Sequence, residues 1–330
     1  MNFVYLGWMK PNFLIFIFFF LAINTGKTQS STTNRNLRFP VIAYFPGRTS
    51  EAFKRIDVER ITHIHYAFVN PDSNGNFSYQ PFIDSLSTFC REHNLKLLLS
   101  IGGGNAPAYY SKLLSAPYRK AFVQALAQIA GQYNVAGIDV DLEGARIDSN
   151  YEAFIFDLKN ALKTSNKIIT AAIATAYKDV LPDKALKQLD YITIMSYDKT
   201  GPWDPARPGQ HSSYQMAVDD LFYWNKTRKL NRKKLYLGLP FYGYSFGPKG
   251  AGYMSFQDIA RQFPEKINED ELVLRDSSIL YYNGLKTIRE KTKLALKKAG
   301  GVMFWQLLQD ADGENSLLRA IDDEIKLHGK

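Results

Sequence analysis

Eight short apolar runs, rich in β-branched and aromatic residues, recur along the chain at 41–45, 62–69, 96–101, 135–143, 168–175, 190–197, 234–241 and 301–307. Longer amphipathic stretches separate them, at 81–94, 118–133, 151–163, 214–226 and 288–298, and a helix at 314–326 closes the series. Strands that alternate with helices pair in parallel and need both sheet faces covered, and eight such units close on themselves. The pattern therefore predicts an α/β fold, a (β/α)8 TIM barrel. The longest connection, 245–300, is expected to be a short insertion between strand seven and its helix, at about 246–285. It holds Gly247, Gly250 and Gly252, a helix-like stretch at 255–263, an acidic linker and a strand-like stretch at 278–282. Ser149 and Glu152 have the spacing of a capping box at the start of the helix after strand four. With 330 residues, 45% of them hydrophobic, the chain can fill one large core.

The first residues lie outside that pattern. Residues 13–23 (FLIFIFFFLAI) form an apolar run too short to span a bilayer, followed by a polar stretch. Residues 1–30 are expected to be a signal peptide, with Met9 as a possible true start, and 31–38 a disordered linker. Residues 39–330 are then the barrel, secreted or periplasmic, with no stable membrane insertion after signal cleavage. No cysteine follows the apolar run, which argues against a lipoprotein anchor. Cys90 is the only cysteine, so the fold cannot rest on an internal disulfide, and a buried structural thiol is expected. The net charge is +9, and Lys226, Arg228, Lys229, Arg232, Lys233 and Lys234 crowd one segment. That segment has no interleaved aromatics and leads into the N-terminal end of a strand, so a solvated connection is expected rather than a nucleic-acid partner. The chain is expected to act as a monomer.

The sharpest chemistry lies in the fourth strand, Ala136-Gly137-Ile138-Asp139-Val140-Asp141-Leu142-Glu143. Side chains on a strand alternate between faces. Asp139, Asp141 and Glu143 therefore share one face, and Ile138, Val140 and Leu142 share the other. The apolar face must meet the surrounding helices, so the acids point into the barrel and toward its C-terminal mouth, where barrel enzymes keep their catalysts. Carboxylates about 7 Å apart along one face cannot all ionise in a low-dielectric site, and at least one pKa rises. An acid still protonated near neutral pH is what cleavage of a glycosidic bond needs, because the leaving oxygen must take a proton. A metal site would call for further ligands, but the chain has 5 His and none lies in this strand.

This strand resembles the signature of glycoside hydrolase family 18, the chitinase-like barrels. The resemblance runs from about residue 40 to 324, with its motifs in order. They are Ala43-Tyr44-Phe45-Pro46, then Ile61-Thr62-His63-Ile64-His65-Tyr66-Ala67-Phe68 and Ser100-Ile101-Gly102-Gly103. Met195-Ser196-Tyr197-Asp198, Gly238-Leu239-Pro240-Phe241-Tyr242-Gly243 and Gly301-Val302-Met303-Phe304-Trp305 follow. The resemblance implies a retaining, substrate-assisted hydrolase. In that scheme Glu143 is the acid and the substrate's 2-acetamido carbonyl is the nucleophile, forming an oxazolinium-type intermediate. Asp141 orients the acetamido group, Asp139 shares a proton with Asp141, and Tyr197 hydrogen-bonds the acetamido oxygen. Trp305 floors the sugar at the cleavage point. Met195, Asp198, Tyr242 and Gly103 line the pocket with Tyr44 and Phe68, for which ordinary barrel filling is the alternative. Trp203 is expected to stack on the aglycone side. The resemblance implies no metal or organic cofactor.

The departures bear on the substrate. Ala136 replaces a leading Asp and Leu142 a frequent outward-facing Trp. Gly104 stands where many chitinases carry a Trp, and Tyr244 where many carry an Arg. The short insertion suggests a shallow, open cleft and internal cuts. The expected partner is an N-acetylglucosamine-containing glycan, chitin or a chito-oligosaccharide. Two other functions stay open: an endo-β-N-acetylglucosaminidase acting on the chitobiose core of N-glycans, and a non-catalytic chitinase-like glycan-binding protein.

Overall fold

The computed structural model describes residues 39–329. The expected signal peptide and the linker lie outside them. Strands β1 (Val41–Phe45), β2 (His63–Ala67), β3 (Lys96–Gly102), β4 (Gly137–Asp141), β5 (Ile168–Ile173), β6 (Tyr191–Ile194) and β7 (Leu235–Pro240) come first in the chain. Four further strands follow, β8 (Tyr242–Gly247), β9 (Gly250–Ser255), β10 (Glu271–Val273) and β11 (Ile279–Tyr281), and then β12 (Gly301–Trp305). Strands β1 to β7 and β12 close into a parallel barrel, with β12 between β7 and β1.

The helices are α1 (Pro81–Glu92), α2 (Tyr110–Leu114), α3 (Ala116–Gln132), α4 (Tyr151–Lys163), α5 (Asp183–Gln188), α6 (Tyr214–Phe222), α7 (Phe256–Gln262), α8 (Leu285–Lys298) and α9 (Leu317–His328). They form because apolar residues recur on one face: in α4 the buried set is Tyr151, Phe154, Ile155, Leu158 and Leu162, spaced three or four apart. Two cores result. The larger lies between barrel and helices and takes Ile138, Val140 and Leu142. The smaller fills the barrel interior with Ile42, Tyr44, Leu98, Met195, Tyr197, Tyr242 and Met303. Strand β4 thus serves both, with its apolar face outward and its acids inward.

Some local expectations are corrected. Ser149 and Glu152 form no capping box: the residue before α4 is Asn150, in a helical conformation without a side-chain cap bond. Instead the Asp148 side chain accepts the Asn150 backbone N–H at 2.8 Å. The stretch 214–226 ends as an α-helix at Phe222 and continues as a π-turn at Tyr223–Thr227. The connection after β7 is more ordered than glycines and a linker suggest. It begins at β8 and forms an antiparallel sheet in the order β10-β11-β8-β9, with β10 inside the expected acidic linker. Cys90 is buried in α1, and burial pushes its thiol up to about 12. No helix among the described residues is long and apolar enough to cross a membrane.

In the basic segment, Arg228 pairs with Asp183 at 2.6 Å, Lys234 donates to the Leu189 carbonyl at 2.8 Å and Arg232 to the Lys297 carbonyl at 2.9 Å. These contacts hold the connection into the N-terminal end of β7, away from the acids.

Candidate active site

The three acids sit at successive depths. Asp139 is deepest and fully buried. It is level with Ser100 on β3 and Thr170 on β5, and both hydroxyls donate to it, at 2.7 and 2.6 Å. The Tyr44 hydroxyl donates at 2.7 Å from β1. The His65 Nδ1 lies 3.3 Å away, and its Nε2 lies 2.9 Å from the Tyr191 hydroxyl. Burial would raise the Asp139 carboxyl, but the His65 imidazole and the hydroxyls of Thr170 and Tyr44 outweigh it and hold the group below its usual value.

Asp141 is also buried, and its Oδ1 has no hydrogen-bond partner among the described residues. Burial, then the charges of Glu143 and Asp139, push its carboxyl well above the usual range. The proton on this pair therefore belongs to Asp141, which leaves a buried oxygen able to accept one hydrogen bond.

Glu143 follows β4 at the mouth and is only partly buried. Burial raises its carboxyl, and the charge of Asp198 adds to this; a hydrogen bond from Tyr177 and the charge of Arg146 oppose it. The Tyr177 hydroxyl lies 3.3 Å from Oε2. Near the other oxygen the site is open: a Cβ built on Gly104 would meet only Glu143 Oε1, at 3.4 Å.

The remaining predicted residues ring this column. Trp305, at the end of β12, stacks on Phe68 at 5.6 Å and 23° and leans on Tyr44 at 5.5 Å. Gly103 seats Phe68, because any Cβ there would lie 2.5 Å from the Phe68 ring, and its φ of +90° favours glycine. The Ala67-Phe68 and Trp305-Gln306 peptide bonds are cis. Tyr197 is buried, and among the described residues its hydroxyl meets only the sulfur of Met303, at 3.8 Å. A thioether is a weak acceptor, so this hydroxyl is available to a ligand. Burial, Asp198 and the acids of the fourth strand raise its pKa well above 10, which keeps it a donor. Met195 belongs to the interior core. Asp198 has a φ of +61° and accepts from the Tyr242 hydroxyl at 2.6 Å. Trp203 is 60% exposed and meets the Tyr244 ring edge-on at 5.5 Å.

Sequence reasoning passed over several residues the structure brings to the column. His65 and Thr170 lie on the inward face of their strands, and that alternation was the signal. Tyr177 is in the first turn after β5, at the C-terminal end where functional side chains collect. His211 is buried, with Nδ1 3.4 Å from Asp198 Oδ1 and its ring against Tyr242 and Tyr244. The segment carrying it is clamped by Lys291, which donates to the Ser212 carbonyl, the Ser212 hydroxyl and Asn283 Oδ1, each at 2.7 Å.

Burial lowers the Lys291 amine to about 7. The unfolded chain then holds the extra proton between about pH 7 and the free-lysine value, so stability rises with pH across that window. Lys291→Met removes the three donor contacts and is expected to cost roughly 1–3 kcal/mol. The deficit should widen from pH 7 to 9, as read by denaturant unfolding at each pH; a constant deficit would contradict a lowered lysine.

Fold and site together define a barrel of the glycoside hydrolase class. The chain belongs to glycosyl hydrolases family 18, whose family model matches residues 40–310. Among solved structures it is similar to the GH18 chitinase ChiB from the chitin utilization locus of Flavobacterium johnsoniae. The two are 34% identical with a TM-score of 0.80, covering 87% of this chain and 94% of that one. A chitinase from Bacteroides thetaiotaomicron is 28% identical with a TM-score of 0.77, covering 88% and 98%. Probable chitinase 10 of Drosophila melanogaster is 23% identical over 377 residues. That match takes in 88% of this chain, which spans only 16% of the length of that relative.

Proposed function

We propose that this chain is a secreted chitinase that cleaves β-1,4 linkages after N-acetylglucosamine, with retention, by substrate-assisted catalysis. The observation that carries the reading is the division of labour among the acids. Asp139 is saturated by three hydroxyls and buried, so it cannot reach a sugar. Asp141 holds a proton and offers one unpartnered oxygen. Glu143 stands at the mouth with a raised pKa, as a general acid requires. None of the three is a free carboxylate nucleophile, which favours the substrate's own acetamido group in that role.

The sequence of events follows. The Glu143 proton passes to the glycosidic oxygen as the C1–O bond breaks and its electron pair leaves on that oxygen. The acetamido carbonyl oxygen bonds to C1, with the acetamido N–H on Asp141 and the carbonyl side near the Tyr197 hydroxyl. Glu143, now a carboxylate, takes a proton from the water that attacks C1 and opens the oxazolinium ring. The solved relatives from Flavobacterium johnsoniae and Bacteroides thetaiotaomicron are described as chitinases, which supports chitin as the polymer.

The test is the product profile. Incubation with chitin oligomers is expected to yield shorter N-acetylglucosamine oligomers, and incubation with a high-mannose glycopeptide to leave it whole. Release of the glycan from the peptide would favour the endo-β-N-acetylglucosaminidase reading, which the missing side chain at Gly104 makes the strongest rival. Binding of either glycan without any product would mark a chitinase-like lectin. Gly104→Trp is expected to fold, because the site is open there, and to lower KM for long chito-oligosaccharides by roughly the worth of one stacking contact, about 1 kcal/mol. An unchanged KM would place no sugar above Gly104. Export rests on the apolar run at 13–23, and N-terminal sequencing of exported protein is expected to begin near residue 31.

A further inference from the structure

The two oxygens of the Glu143 carboxyl are not equivalent. Oε2 is the one reached by the Tyr177 hydroxyl, at 3.3 Å. Oε1 is the one facing the open ground above Gly104. Tyr177 itself is held in place. It ends a single 3-10 turn, Thr175–Tyr177, directly after β5, and its backbone N–H donates to the Ala174 carbonyl at 3.0 Å. The buried Trp224 donates its indole N–H to the Thr175 hydroxyl at 2.9 Å and pins the turn to the helical layer. The phenol therefore reaches the acid from a rigid element, not from a mobile loop.

We propose that Tyr177 is a positioning residue for Glu143: its hydroxyl occupies Oε2 and so assigns the transferable proton to Oε1, the oxygen that faces the scissile bond. This rests on the reading of Glu143 as the acid and deepens it. A carboxyl with two free oxygens divides its proton between them and rotates; one with a donor fixed on one oxygen presents its proton from the other. The same bond also serves the second half of the cycle. Once Glu143 has given up its proton, the hydroxyl stabilises the carboxylate that must then activate water. Arg146, in the turn after β4, adds a favourable charge, whereas the charge of Asp198 after β6 opposes ionisation. Tyr177 is the neutral donor in that set. Burial and then the Glu143 charge push its own hydroxyl up to about 12, so it remains protonated throughout.

Tyr177→Phe removes only the hydroxyl and keeps the ring. Two measurements test the assignment. The first is the titration of Glu143 by carbon-13 NMR of glutamate-labelled protein, with the resonance identified by its loss in Glu143→Gln. The Glu143 midpoint is expected to rise in Tyr177→Phe by about one unit, the effect of losing one donor to a carboxylate. The alkaline limb of kcat/KM should move up with it, since the acid stays protonated to higher pH. The second is the dependence on leaving group. Turnover of a chito-oligosaccharide, whose departing hydroxyl needs the proton, is expected to fall about tenfold. Release of nitrophenol from a nitrophenyl chitobioside, which departs with little help, should change less than about twofold. A general packing defect would slow both substrates alike and would overturn the assignment. So would an unmoved Glu143 midpoint in an enzyme that hydrolyses chito-oligosaccharides. A midpoint that moves in a protein that hydrolyses no glycan would instead overturn the proposed function and leave the Tyr177–Glu143 bond standing.

Discussion

Glu143→Gln is expected to fold, to keep its affinity for chito-oligosaccharides and to hydrolyse them about 10²–10⁴-fold more slowly, the range that a positioned general acid supplies. The amide has the shape of the acid and can still accept the Tyr177 hydroxyl, but it has no proton to give. The loss should appear in kcat and not in KM, because the missing interaction exists only in the transition state. A nitrophenyl substrate should recover part of the rate of the first step. Turnover within a few-fold of the parent protein on the natural glycan would show that the acid is another residue. In the parent protein the alkaline limb of kcat/KM should lie above the range of an ordinary glutamate, because burial first, and then Asp198, raise Glu143.

Asp141→Asn should be nearly as damaging, in a different pattern. Asparagine keeps a carbonyl oxygen where Oδ1 lies, but it has no proton to pass to Asp139 and so cannot become negative as positive charge grows on the oxazolinium ring. Removing one preorganised electrostatic group of this kind costs about 10²–10³ in kcat. Here a good leaving group brings no relief, since the acetamido attack is needed whatever departs. Measuring both variants on both substrates separates the roles: a rate restored in Asp141→Asn by nitrophenyl release would contradict the orienting role of Asp141. Stability should change little, because the neutral amide replaces a carboxyl that is itself held protonated by burial and its neighbours.

Much of this was legible in the chain. The eight strands announce themselves through β-branched and aromatic runs, and the period of two in strand four is enough to place Ile138, Val140 and Leu142 against the helices. Asp139, Asp141 and Glu143 could be read as one inward-facing set from the same period. The hydroxyls that hold Asp139 could not. Ser100, Thr170 and Tyr44 come from three different strands, and their meeting depends on the register of β3, β4 and β5 and on barrel closure bringing β1 to face them, which local patterns do not encode. Tyr177 was hidden for a similar reason: an aromatic after a strand is common, and only the closed barrel brings its hydroxyl to Glu143. Of the four-stranded sheet after β7, only β11 falls in an expected strand-like stretch; β8 and β9 escaped because glycines interrupt their apolar patterns, and β10, three residues long, lies among acids. The capping box at Ser149 failed because α4 starts one residue later than that box requires, with Asn150 in the capping position.

Strand β4 leaves no idle position. Each of its side chains is either part of the outer core or part of the acid column, and Gly137 would bring a Cβ within 2.0 Å of the Ile168 carbonyl oxygen. Drift is therefore blocked at the centre and pushed to the rim, to positions such as Gly104, where a Cβ finds open space, and the exposed Trp203. On the proposed function, a lineage built on this barrel would diversify in what it holds long before it lost the means to cut.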